Sequence, residues 1–136
     1  MKAESFIVAD TSAWISSFQK KGYDALKQRL REALEKNVLA INGIIFCELL
    51  QGAKNELEYE NLKARLEVLH YLPVSEEVWE RAAQLSFNLR RQGITIPTTD
   101  AVIAQSVIDH RCGLLHCDKH FEMIARHSDL GIVAGF

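Results

Sequence analysis

The chain reads as an α/β protein built around a mostly parallel sheet, and three observations predict this. Short apolar runs of strand length, residues 6–9 and 38–41 among them, alternate with longer segments of helical periodicity. The runs show no polar alternation, as expected of buried strands. The order strand, acid, helix occurs twice, at Asp10 and again at Asp118. A chain of 136 residues is one domain of ordinary size, residues 1–136, large enough for a real core. Its 48% hydrophobic and 25% charged residues are those of a soluble globular protein. The apolar stretches are too short to span a bilayer and the first residues lack a signal-peptide core, so a cytoplasmic protein with no membrane partner is expected. A net charge of −2 excludes nucleic-acid binding by bulk charge. Contact with a polyanion would need a local patch or bound cations. Cys47, Cys112 and Cys117 are an odd number without zinc-ribbon spacing and read as free thiols.

In order along the chain, residues 6–9 (Phe-Ile-Val-Ala) form the first strand, and Asp10 at its end is costly in a core but natural at a strand's C-terminal edge. Residues 11–19 form a short helix with Trp14, Ile15 and Phe18 on one side, stopped by Lys20-Lys21-Gly22. Residues 23–36 form a second helix with a stripe of Leu26, Leu30, Ala33 and Leu34. Residues 38–41 are the second strand. Asn42 caps a helix over 43–53, and Asn55 with Glu58 resembles a capping box that opens another. Residues 71–74 are a third strand, placed at a sheet edge by Pro73. Residues 75–92 carry the clearest helical pattern, with Ser75 as cap, two glutamates in the first turn, Arg90 and Arg91 in the last, and Gly93 as the stop. A helix over 97–110, a strand over 113–117, a short helix from Asp118 to about 127 and a last strand over 130–134 complete the chain.

Four acids stand out, and each has a plain structural alternative. Asp10 and Asp118 are well placed to be helix caps, and Asp100 sits in a first turn where the macrodipole favours an anion. Glu48 lies in Ile-Ile-Phe-Cys-Glu-Leu-Leu, a segment so apolar that the helix should be buried, and a glutamate there must find a partner, protonate or line a cavity. Right-handed crossovers bring all four to one end of the sheet. Oxygen ligands of this kind suit Mg²⁺ or Mn²⁺. Such ions can activate water and stabilise both oxygens of an in-line phosphoryl displacement. Two carboxylates ~5 Å apart at an effective dielectric of ~20 repel by roughly 3 kcal/mol, so the cluster is strained until cations arrive.

The segments Val8-Ala9-Asp10-Thr11-Ser12, Glu48-Leu49-Leu50-Gln51-Gly52, Thr99-Asp100-Ala101-Val102-Ile103-Ala104 and Leu114-Leu115-His116-Cys117-Asp118-Lys119-His120-Phe121 resemble, in that order and at those intervals, the PIN-domain nucleases of the VapC toxin type. The resemblance runs through essentially the whole chain. It implies a PIN-like three-layer sandwich whose parallel five-stranded sheet has the order 3-2-1-4-5, with helices on both faces. It makes Asp10, Glu48, Asp100 and Asp118 the metal-binding, catalytic acids and Ser12 a contact to water or phosphate. His116 stands where such proteins often carry a hydroxyl, and is expected at the pocket rim or as a proton donor facing RNA. A transition-metal site of His116, Asp118 and His120 is the competing use of these histidines.

The function implied is a Mg²⁺- or Mn²⁺-dependent endoribonuclease, leaving 5′-phosphate and 3′-hydroxyl ends, that acts as the toxin of a toxin–antitoxin pair. Its partners would be RNA, held in part by Lys119, Arg90 and Arg91, a cognate antitoxin packed on the early helices near Trp14 and Phe18, and a second copy in a homodimer. Core packing is the alternative role for that aromatic pair. Two other functions compete with the nuclease. A haloacid-dehalogenase-like phosphatase needs a second aspartate where Ser12 stands. In a non-catalytic binding module the acids would be caps alone.

Overall fold

A computed structural model describes residues 5–133. Five strands alternate with seven helices: β1 (Ile7–Ala9), α1 (Thr11–Ser17), α2 (Asp24–Glu35), β2 (Leu39–Ile41), α3 (Gly43–Gln51), α4 (Glu56–Glu67), β3 (His70–Tyr71), α5 (Glu76–Arg91), α6 (Thr98–Asp109), β4 (Gly113–Leu115), α7 (Lys119–Arg126) and β5 (Gly131–Ile132). The strands form one sheet in the order β3-β2-β1-β4-β5, and every pairing is parallel. This is the PIN-like order that the four motifs imply. The chain leaves β1 toward one side and returns to its other side at β4, so the topological switch lies between β1 and β4, where open α/β sheets form their ligand crevice.

The strands are short because only their central residues need cover on both faces. Val8, Ala9, Leu39, Ala40, Ile41, Leu114 and Leu115 are buried beneath the helices. On α6 the burial is continuous from Ala101 to Val107, including Gln105 and Ser106, so that helix runs through the core and its Asp100 end is held rigidly.

Four expectations need correction. Pro73 is not in β3, which ends at Tyr71; the edge position stands, but Pro73 follows the strand and its carbonyl accepts from His110 Nε2 at 2.9 Å. The last strand is two residues long, and residue 134 lies outside the described residues. Helix α3 is not buried all round: Ile45, Leu49 and Leu50 face the core, but Cys47 is exposed and Glu48 half-buried. It packs on α1, α4 and α6 but keeps one side toward solvent, so composition overstated its burial. Leu34 of the expected α2 stripe is exposed as well. All three cysteines are free, with Cys112 buried and the other two exposed.

Asn42 ends β2 and caps α3, its Oδ1 accepting the N–H groups of Ile44 and Ile45 at 3.0 Å each while 1% exposed. Replacing Asn42 with Ala orphans both donors and should cost about 1–2 kcal/mol. Urea unfolding followed by circular dichroism measures the loss; a change near zero would mean that α3 needs no cap.

Candidate active site

The ends of β1 and β4 set the centre of the crevice. The N–H of Asp10 donates to the Leu115 carbonyl at 3.0 Å, so the two strands stay paired up to the point where both chains turn away. Asp10 then caps α1, its Oδ1 accepting from the Ala13 N–H at 3.1 Å. The Ser12 hydroxyl donates to the same carboxylate at 2.8–2.9 Å and accepts from the Cys117 N–H at 2.9 Å. One hydroxyl therefore ties the first acid to the loop that carries the last. Thr11 does the same toward α3, donating to Glu48 Oε1 at 2.7 Å.

The second half of the site stands on α6 and the start of α7. Asp118 caps α7, taking the His120 N–H at 2.9 Å. The His120 Nδ1 lies 3.0 Å from Asp100 Oδ2 and 3.2 Å from Asp118 Oδ1. One ligand atom from each of Asp100, Asp118 and His120 falls within 4.8 Å of the others. Glu48 is near enough for its charge to act on Asp100. The fold thus gathers Glu48, Asp100 and Asp118, while the Ser12 hydroxyl links Asp10 to the loop before Asp118 and the Thr11 hydroxyl holds Glu48.

Two histidines differ from expectation. His116 is 5% exposed. Its Nδ1 accepts the Asp118 N–H at 3.1 Å, its Nε2 lies 3.1 Å from Glu122 Oε1, and its ring packs against Phe121. This network assigns the proton to Nε2. With both nitrogens engaged, His116 braces the turn between β4 and α7 and is not a rim residue facing RNA. It is also not part of a metal triple with Asp118 and His120. His120 joins Asp100 instead, and only the spacing Asp118-x-His120 hinted at it. Once the backbone turns at an N-cap, a residue two positions on can fold back over the cap.

Burial pushes the Asp10 carboxyl above the ordinary aspartate value, although the hydrogen bonds from Ser12 and Ala13 pull it down. Burial also raises Asp100; the His120 hydrogen bond opposes that, and the charges of Asp118 and Glu48 add to it. Both groups are therefore costly to ionise where they stand. The donor set fits a divalent cation: carboxylate oxygens and one imidazole nitrogen converge, and the negative charge among them lacks an equal positive partner.

A parallel 3-2-1-4-5 sheet with acids gathered at its switch point defines a class. The PIN domain family matches residues 7–127, and the chain belongs to that family. Within it the chain is similar to the VapC ribonucleases: it is 32% identical over 127 residues to Ribonuclease VapC11 of Mycobacterium tuberculosis, which covers 91% of this chain and 95% of the relative. Among solved structures it resembles VapBC2 from Rickettsia felis bound to a DNA fragment from its promoter (TM-score 0.78, 22% identity, 94% of this chain and 97% of that one). It also resembles FitAcB from Neisseria gonorrhoeae (TM-score 0.76, 20% identity, 95% and 97%). No helix among the described residues is long and apolar enough to cross a membrane.

The raised carboxyls set a pH-dependent stability with a definite sign. A carboxyl whose folded value lies above its unfolded value of about 3.8 binds its proton more tightly when folded, so stability falls as pH rises through that window and the full cost is present above it. At neutral pH and without metal, Asp10→Asn and Asp100→Asn should each melt higher than the parent, since Asn keeps the acceptor oxygen. The gain should shrink as pH is lowered toward 3.8. Thermal melts in EDTA across that range measure it; variants that melt lower at neutral pH would mark these acids as simple structural caps.

Proposed function

We propose that the chain is a divalent-metal-dependent endoribonuclease of the VapC toxin type, hydrolysing RNA phosphodiester bonds at the crevice between β1 and β4. The observation that carries this reading is the convergence of Asp100, Asp118 and His120 within 4.8 Å beside Glu48, with Asp10 buried across the same crevice. A chain using these acids only as caps would have no reason to gather them. The ribonuclease names of relatives at 32% identity support the same activity. The phosphatase alternative lacks its second aspartate, because Ser12 occupies that position and spends its hydroxyl on Asp10 and the Cys117 N–H.

Asp10, Glu48, Asp100 and Asp118 would hold Mg²⁺ or Mn²⁺, with His120 as a further donor. Such an ion supplies Lewis acidity toward the phosphodiester and lowers the pKa of attacking water. The protein's own groups do the positioning. Thr11 fixes the Glu48 carboxylate, and Ser12 holds Asp10 in register with the Asp118 loop. His116 pins the Asp118 N–H, and the His120 Nδ1 stands between two acids that would otherwise repel. Lys119, exposed next to Asp118, can meet a backbone phosphate.

The assembly partners follow the family. Solved structures of similar fold are toxin–antitoxin complexes, and an antitoxin is the proposed protein partner here. Phe18 is 52% exposed over a cavity of about 390 Å³ that Leu57 and Leu62 of α4 also line, whereas Trp14 is partly buried against the core. Phe18 rather than Trp14 is therefore the aromatic offered to an antitoxin segment. A homodimer is the proposed oligomer.

Asp118→Asn and Asp10→Asn should each reduce RNA cleavage by at least about a hundredfold, the scale on which loss of one group that stabilises transition-state charge acts. Circular dichroism should show an unchanged fold. Excess EDTA should stop the parent enzyme, and Mg²⁺ or Mn²⁺ should restore it. Cleavage that survives EDTA, or an Asp118→Asn variant as active as the parent, would sink the reading.

A further inference from the structure

Helix α5 buries Val78, Ala82 and Leu89 on one side and turns Gln84, Phe87 and Arg91 to the other. Three and then four residues apart, those three share one face. A single exposed ring would need no explanation. This one comes with a cation: the Arg91 guanidinium lies over the Phe87 ring, 5.7 Å from its centroid. Phe87 is still 58% exposed with that contact made.

The charge of α5 is divided along its length. Glu76, Glu77 and Glu80 stand in its first half, Arg90 and Arg91 in its last turn. From Arg81 to Thr99 the chain has no acid, its longest run without one. Arg81 is spent on Asp109. Among the described residues neither Arg90 nor Arg91 enters an ion pair. The acid-free run leads straight to Asp100. Helix α5 packs on α6, and the Arg81–Asp109 bond joins the start of one to the end of the other, so the last turn of α5 lies beside the first turn of α6. There Thr98 and Thr99 are exposed, and no side chain caps the helix. The ring, the two arginines and the opening of α6 thus follow one another toward the acids of the crevice.

We infer that the last turns of α5 are a docking track for single-stranded RNA, with one base stacked on Phe87 and the neighbouring phosphates on Arg90 and Arg91. The inference rests on the ribonuclease reading above and adds where the strand runs outside the crevice. Charge complementarity chooses a polyanion: in a chain of net charge −2, these two arginines stand side by side with no acid near them in sequence. The ring chooses a single strand, because a paired base is stacked within its duplex and has no face to offer. The Gln84 amide, on the same face as Phe87, can reach the edge of the stacked base. Past the arginines, the positive end of the α6 dipole favours the next phosphate on the way to the site.

Fluorescence anisotropy of the full chain with a labelled oligoadenylate of about 12 nucleotides, in EDTA so that no cleavage intervenes, tests the inference. Phe87→Ala should weaken binding about tenfold and Phe87→Leu as much, whereas Phe87→Trp should keep it, since stacking needs a flat ring. Arg90→Ala and Arg91→Ala should each weaken binding and each lower the slope of log affinity against log salt by about 0.7. On duplex RNA of the same length the arginine variants should again bind more weakly, and Phe87→Ala should bind as the parent does. Its melt should also match the parent, because the ring is on the surface. A Phe87→Ala or Phe87→Leu variant that binds the single strand like the parent overturns the inference, and so do equal losses on single strand and duplex. It is overturned as well if Phe87→Ala turns a dimeric parent monomeric in sedimentation velocity and leaves RNA affinity unchanged, which assigns the face to a protein contact. If these binding results hold but the parent cuts no RNA with Mg²⁺ or Mn²⁺, the nuclease reading fails and the track stands as an RNA-binding surface.

Discussion

The structure depends on one electrostatic constraint: carboxylates brought together at the end of a parallel sheet, where neither water nor the core solvates them well. Asp10 is 3% exposed, yet among the described residues no basic side chain is hydrogen-bonded to it. Asp100 feels the charges of Asp118 and Glu48. Such an arrangement is unfavourable for folding by itself, because desolvation and like-charge repulsion act in the same direction. It persists because the parallel pairing of β1 with β4 and the buried body of α6 determine where the backbone turns. The scaffold is stable enough to hold charges that local energetics would separate.

Hydroxyls and histidines carry that strain. Ser12 uses both its proton and its lone pair, joining the Asp10 carboxylate to the backbone after β4. Thr11 lends its proton to Glu48 from the neighbouring helix. His120 lies between Asp100 and Asp118, and His116 receives the Asp118 N–H. The Ser12–Cys117, Thr11–Glu48 and His120–Asp100 links join elements distant in sequence, so the acids are positioned with respect to one another and not only to their own helices. This is the preorganisation a hydrolytic site needs when charge must be stabilised without rearrangement. On the proposed nuclease reading, cations drawn by this negative potential would supply the positive charge toward a polyanion that a chain of net charge −2 lacks.

The sequence was most legible where periodicity and caps agree. Asn42, Asn55, Ser75 and Asp118 all cap the helices assigned to them, because a short polar side chain after an apolar run leaves the backbone few other partners. It was least legible where composition stood in for packing. Helix α3 is apolar, yet Cys47 faces outward, since α1, α4 and α6 together leave that side uncovered. Pro73 marked the right edge of the sheet but the wrong residue, because β3 stops at Tyr71. His116 and His120, four residues apart, were natural partners on paper; the turn at Asp118 sent one into the core and the other over Asp100.

The sequence by itself determined the alternation of strands and helices, the caps, and the four acids whose order and intervals carry the family resemblance. These depend on neighbours within one or two turns of chain. The tertiary structure alone decided which atoms meet: the coupling of Ser12 to Cys117 across 105 positions, the place of His120 beside Asp100, the burial of His116, and the exposure of Trp79 and Phe87 on α5. Those outcomes depend on where the parallel strands end and on which helix faces find cover, and both are set by the packing of elements far apart in the chain.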